Sequence, residues 1–125
     1  EKLHLGDISV QRDWGWAAEY VEAMHLMLQK DMPDDYVIAT GQTSKLEDFV
    51  ASAFACVGLD WREHVVTDTK LLRPTDIAVG KASPVKAKEK LGWQAKYVMH
   101  DVVRMMVQAE QEKNQVNKHI PALAV

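Results

Sequence analysis

The hydrophobic period of this chain changes several times within 125 residues, and that switching limits the folds open to it. Leu3, Leu5, Ile8 and Val10 alternate with polar residues around Gly6-Asp7, a pattern for short strands joined by a turn. From Trp16 to Lys30 the period lengthens. Ala17, Tyr20, Val21, Met24, Met27 and Leu28 recur at helical spacing and predict one inward stripe. Pro33-Asp34-Asp35 breaks that helix, Tyr36-Val37-Ile38-Ala39 reads as a short buried strand, and Gly41 marks a turn.

Ser44-Lys45-Leu46-Glu47 has the form of a capping box, in which the Ser hydroxyl and the Glu carboxylate satisfy the first N–H groups of a helix. The helix it opens would turn Leu46, Phe49, Val50, Ala53, Phe54 and Val57 inward and stop at Gly58. Trp61 to Asp68 reads as a loop and strand, and Lys70 to Lys81 as irregular with one extended piece. Ser83-Pro84 suggests a cap and first-turn proline for a brief helix ending at Leu91-Gly92. Met99 to about Asn114 is the last predicted helix, with Val102, Val103, Met106 and Val107 inward and Met105 off that set. The expected fold is a small mixed α/β domain over residues 1–114, mostly helices with short strands. A tail, 115–125, lacks a clear period and is expected to be disordered or docked on a partner.

Composition narrows the function classes. A hydrophobic fraction of 47% with 26% charged residues suits one soluble globular domain. The net charge of −3 leaves no footprint for nucleic acid, and no apolar run nears the roughly 20 residues of a membrane span. The single Cys56 excludes an internal disulfide and suits a reducing, cytoplasmic setting; inside an apolar helix it reads as inert. His4, His25, His64, His100 and His119 are scattered without metal-ligand spacing, so no metal site is expected, and His25 reads as half-buried packing. The pairs Asp34-Asp35 and Glu47-Asp48 read as solvated surface. A start at Glu1 rather than Met favours a fragment or processed product.

Two arginine-bearing segments carry the candidate chemistry: Arg12-Asp13-Trp14-Gly15 and Leu72-Arg73-Pro74-Thr75-Asp76. An arginine fork matches phosphate oxygens two at a time, and Pro74 pushes Arg73 toward an extended backbone. Taken singly, each segment is more simply a surface salt link. Asp13 is expected to accept from local N–H groups and Trp14 to pack.

In order, Arg12-Asp13-Trp14-Gly15, Glu19 to Met24, Asp34 to Gly41, Arg73-Pro74-Thr75-Asp76 and Lys86 to Trp93 resemble the C-terminal substrate portion of the GDP-mannose 4,6-dehydratase family. That family belongs to the extended short-chain dehydrogenases/reductases, and the likeness runs from Leu3 to about Glu112. The resemblance implies that Arg12 and Arg73 bind the diphosphate of a sugar nucleotide such as GDP-mannose and that Asp76 takes the ribose hydroxyls. It implies an intact enzyme that uses NADP to convert GDP-mannose into GDP-4-keto-6-deoxymannose on the route to GDP-fucose. Asp76 stands where the family usually has Glu, and Lys70-Leu71-Leu72 where it tends to have Arg-Tyr or aromatics.

The family's Gly-rich cofactor turn and its Tyr-x-x-x-Lys pair have no match here: Tyr20, Tyr36 and Tyr97 are followed at that offset by Met24, Thr40 and Asp101. The expectation is a chain with no catalytic residue and no bound cofactor of its own, completed by a missing N-terminal Rossmann domain and prone to self-association. A fragment of another extended dehydrogenase/reductase, or a stand-alone binding module, remains open on the residues alone.

Overall fold

The computed structural model describes residues 1–119, with side-chain surroundings through Gln115. Two small sheets and four helices make a mixed α/β domain. Strand β1 (Leu3–Leu5) pairs in parallel with β4 (Val65–Thr67), Leu3 opposite Val65. Strand β2 (Gln11–Arg12) runs antiparallel to β3 (Ser44–Lys45), with Gln11 opposite Lys45 and Arg12 opposite Ser44. On its other side Gln11 bridges Val79, the extended piece expected between Lys70 and Lys81. Among the described residues, the predicted strand at Tyr36–Ala39 joins no ladder.

Helix α1 spans Ala17–Leu28, α2 Leu46–Ala55, α3 Val85–Leu91 and α4 Met99–His119. The last runs past the expected end at Asn114; residues 120–125 of the expected tail lie outside the described residues. Gly92 closes α3 at φ 68°, the left-handed conformation that costs a residue with a Cβ about 1–2 kcal/mol.

The two expected side-chain caps do not form. Ser44 lies in β3, and the first N–H groups of α2 donate to carbonyls of the connection between β1 and β2, Leu46 N to Val10 O at 2.9 Å and Glu47 N to Ile8 O at 2.9 Å. That connection thus satisfies groups that would otherwise need a side-chain oxygen. Helix α3 starts from Pro84, and Ser83 makes no capping bond.

One core lies between α1 and α3. Ala23, Ala87, Leu91 and Trp93 are buried, Tyr20 meets Trp93 edge-on at 5.9 Å, and Tyr36, Ile38, Leu26 and Met27 pack around them. Val50 of α2 and Met99, Val102 and Val103 of α4 are buried where those two helices pack together. The α1 stripe divides: Tyr20, Ala23 and Met27 face inward, whereas Val21, Met24 and Leu28 are exposed. On α4, Met106 is exposed and Met105 half-buried, the reverse of the expected phase, and Val57 and His25 also face out. Cys56 follows α2 as its exposed C-cap.

A charged residue holds the first core together. Glu19 is 5% exposed, and its carboxylate accepts from Lys96 N at 2.8 Å and Tyr97 N at 3.2 Å. Its backbone carbonyl accepts from the Trp93 indole at 2.9 Å. Three hydrogen bonds from residues 93–97 therefore end on one residue of α1.

Candidate functional site

Arg12 sits at the end of β2, between β3 and the 77–80 segment. Gln11 anchors that segment by receiving Gly80 N at 2.8 Å and donating to Ala78 O at 2.8 Å. The Arg12 guanidinium then reaches across it. Nη1 donates to the carbonyls of Gln11 at 2.7 Å and Ile77 at 2.6 Å, and Nη2 donates to Asp76 Oδ1 at 2.9 Å. A Cβ on Gly80 would stand 3.2 Å from the Arg12 Cδ, so the glycine leaves room for the arginine stem.

Arg73 arrives from a different direction. Asp68 accepts from Lys70 N at 2.9 Å and caps a 3-10 turn over Thr69–Leu71, after which Leu72 turns the chain extended into Arg73-Pro74. This loop lies on Gly6, where an added Cβ would meet the Leu71 carbonyl oxygen at 2.7 Å. The outcome is a cleft of about 270 Å³ that contains Arg12, Arg73 and Asp76 together, residues more than 60 positions apart at the extremes. Val10, Trp14, Leu46 and Leu71 form its apolar walls. Asp7 borders it too, its carboxyl held below the usual range by the Ser9 hydroxyl at 2.6 Å and then by the Ser9 N–H at 2.8 Å.

Within this cleft the charges are not equivalent. Asp76 offsets Arg12, and two backbone carbonyls occupy the other arm of that guanidinium. Asp7 is turned to Ser9. Arg73 makes no hydrogen bond or ion pair among the described residues, so its donors are the ones open to an incoming anion. Asp76 Oδ2 likewise makes no hydrogen bond and is open to a hydroxyl donor.

Asp13 differs from its expected local role. Its carboxylate accepts from Thr40 N at 3.1 Å, Thr40 Oγ1 at 2.7 Å and Gly41 N at 2.8 Å, tying the end of β2 to a loop 27 residues away. Trp14 packs on Phe49 of α2 with ring centroids 5.2 Å apart. Gly15 lies under the Tyr20 phenol, where a Cβ would be 2.3 Å from the hydroxyl oxygen. Burial, then the charges of Asp13 and Glu19, push the Tyr20 phenol up from its ordinary pKa. The Arg-Asp-Trp-Gly run is therefore four residues with four separate anchoring jobs.

Sequence reasoning missed the Arg12–Asp76 pair and the buried Glu19. The second left a signal: Glu19 stands four and seven residues before Ala23 and Leu26, on the inward face of α1. A separate apolar groove of about 330 Å³ between α2 and α4, lined by Phe49, Ala53, Val103, Met106 and Val107, carries none of the arginines. Among the described residues no group of three or more His, Cys, Asp or Glu side chains could hold a metal, and no helix is long and apolar enough to cross a membrane.

Comparison with known proteins identifies the family and the fold. The family model described as GDP-mannose 4,6 dehydratase matches residues 1–106. The chain is 47% identical over 111 residues to GDP-mannose 4,6 dehydratase 1 of Arabidopsis thaliana, covering 89% of this chain and 31% of that protein. In structure it resembles UDP-glucose 4-epimerase from Thermotoga maritima with UDP-glucose, at a TM-score of 0.79, 23% identity, and 91% and 36% coverage. RMD from Pseudomonas aeruginosa complexed with NADPH follows at a TM-score of 0.78, 18% identity, and 90% and 36% coverage. The chain spans about a third of the length of the proteins it matches.

Proposed function

The chain belongs to the GDP-mannose 4,6-dehydratase family, and on that premise we propose that it is the sugar-nucleotide-binding portion of such an enzyme. The observation that carries the proposal is the cleft in which Arg73 stands unpaired beside the Arg12–Asp76 ion pair. Arg73 takes the diphosphate with its free fork. Arg12 holds the 76–80 segment in place through Asp76 and the Ile77 carbonyl. Asp76 accepts from ribose hydroxyls through its free oxygen. Binding energy from the nucleotide then orients the sugar for chemistry elsewhere in the enzyme.

We assign the nicotinamide cofactor, NADP, to the remainder of the dehydratase; hydride transfer is the chemistry it supplies when bound. None of the six glycines has the G-x-G-x-x-G spacing of its pyrophosphate turn, and Gly15, which precedes α1, lies under the Tyr20 phenol. Gly58 and Gly92 stand after the C-terminal ends of α2 and α3, where the helix dipole disfavours phosphate, and Gly41 precedes a strand. No Tyr-x-x-x-Lys pair is present either. The 125-residue chain alone is accordingly expected to bind GDP-mannose without dehydrating it.

Titrating GDP-mannose into the isotope-labelled chain tests this reading. Amide resonances of Gly6, Val10, Leu46 and Leu71 should shift together. Shifts gathered instead at Phe49, Ala53 and Val107, or no shifts at millimolar ligand, would remove the assignment.

A further inference from the structure

Helix α4 is twice as long as the helix it packs on. Its 21 residues extend about 31 Å and the 10 residues of α2 about 15 Å, so α2 covers no more than half of it. The apolar groove of about 330 Å³ between them stays open. Val103 is buried at its floor and Phe49, Ala53 and Val107 are half-buried, but Met106 on its lip is 52% exposed. The α4 lining keeps helical spacing from Val103 through Val107 and Glu110 to Asn114, so the groove follows one face toward the end of the helix.

The sequence changes character just past that end. From Gln108 to His119 the only apolar residues of α4 are Ala109 and Val116. Ile120-Pro121-Ala122-Leu123-Ala124-Val125 then follows without one polar side chain. Pro121 has no N–H for a helical bond and its ring disfavours helical backbone at Ile120, so this run cannot prolong the axis of α4. An apolar run hung in water from a hydrophilic helix end gains by burial, and the open groove is the apolar surface on the same helix.

We propose that residues 120–125 fold back along α4 and seat Leu123 and Val125 in this groove. Reach favours them: six extended residues span up to about 20 Å, and the way back from His119 to Val107 is about 18 Å. Polarity favours them too. Glu110 on the rim is paired with Lys113 at 3.8 Å, so it sets no unpaired charge against the run. The exposed amides of Gln111 and Asn114 make no hydrogen bond among the described residues and offer donors and acceptors to an extended backbone laid beside them. Attachment decides between this run and the same run of a second copy: a short tether holds it at an effective concentration on the order of millimolar. The groove shares Phe49 with the Trp14 wall of the nucleotide cleft, at ring centroids 5.2 Å apart, but its occupancy does not depend on what that cleft binds.

Nuclear magnetic resonance of the 125-residue chain and of a shortened chain, residues 1–119, tests the proposal. Leu123 or Val125 methyls should give Overhauser contacts to the methyls of Val107 or Met106, unchanged on dilution. Removing residues 120–125 should shift the Met106 and Val107 methyl resonances and leave those of Val21 and Leu28 on α1 in place. Leu123→Asp in the 125-residue chain should reproduce these shifts, and it decides the matter if the shortened chain fails to fold. Absence of the contacts, or Met106 and Val107 resonances unmoved by both changes, overturns the proposal. In a mixture of isotope-labelled and unlabelled chains the contacts should be absent between molecules. Contacts that pass the isotope filter make a second copy the occupant and overturn it equally.

Discussion

Replacing Glu19 tests whether one buried carboxylate joins α1 to the segment after α3. Its two oxygens accept from Lys96 N at 2.8 Å and Tyr97 N at 3.2 Å, and hydrogen bonds to a charged group contribute about 1.5–3 kcal/mol each. The longer bond belongs at or below the bottom of that range. Lys96 and Tyr97 are themselves partly solvated, so water recovers some of the loss. Glu19→Ala should then destabilise the chain by about 2–4 kcal/mol. Glu19→Gln should cost about 1–3 kcal/mol, because an amide keeps one acceptor and turns its NH₂ toward the second N–H. With 125 residues the unfolding entropy is about 0.26 kcal/mol/K, so Glu19→Ala should lower Tm by about 8–15 °C. Urea unfolding followed by near-ultraviolet circular dichroism reads the change, since the Trp93 indole bonds to the carbonyl of the same residue. A Glu19→Ala variant within about 0.5 kcal/mol of the parent would refute the reasoning.

Two further outcomes follow from the site and its supports. Gly6→Ala should push the Leu71–Arg73 loop away from β1, because the new Cβ would meet a backbone oxygen at 2.7 Å. GDP-mannose affinity should fall, whereas Lys2→Ala should leave it unchanged, as calorimetry can compare. Asp34 has its pKa lowered from 3.8 to about 2, first by the hydrogen bond from Lys86, and Lys86 is raised above 10.5 by the same bond. A depressed carboxylate contributes fully above its unfolded pKa, so the docking of residues 34–36 on α3 should weaken only as pH falls from about 4 through about 2. On the alkaline side it should weaken only as pH rises through the raised Lys86 pKa. Tyr36 ring resonances report both transitions, and Lys86→Met should diminish the alkaline one, since Lys90 still bonds Asp34, and raise the midpoint of the acid one.

Local chemistry made much of this architecture legible. Helical spacing located α1, α2 and α4, Pro84 and Gly92 bracketed α3, and α2 ends at Ala55, before the expected stop at Gly58. The convergence of Arg12, Arg73 and Asp76 was foreseen through a family pattern; periodicity does not contain it. What stayed hidden depends on contacts distant in sequence. Ser44 and Glu47 read as a capping box because nothing local announces that the Ile8 and Val10 carbonyls will receive the α2 N–H groups first. The α1 stripe read as one inward face because an apolar residue awaiting another surface looks, in sequence, like one facing the core. Asp13 read as an acceptor of local N–H groups because nothing nearby in sequence announces that its donors lie on Thr40 and Gly41. Asp76 read as free for ribose, whereas half of its carboxylate is committed to Arg12.

The central claim is that Arg73 recognises the diphosphate, and comparing ligands with and without that group tests it most directly. Calorimetry of GDP-mannose and of guanosine against the parent chain, Arg73→Ala and Arg73→Lys isolates the interaction. The account predicts that Arg73→Ala weakens GDP-mannose by about 1.5–3 kcal/mol, that Arg73→Lys restores only part, and that guanosine affinity stays unchanged. Equal losses for both ligands, or no loss for either, would contradict it.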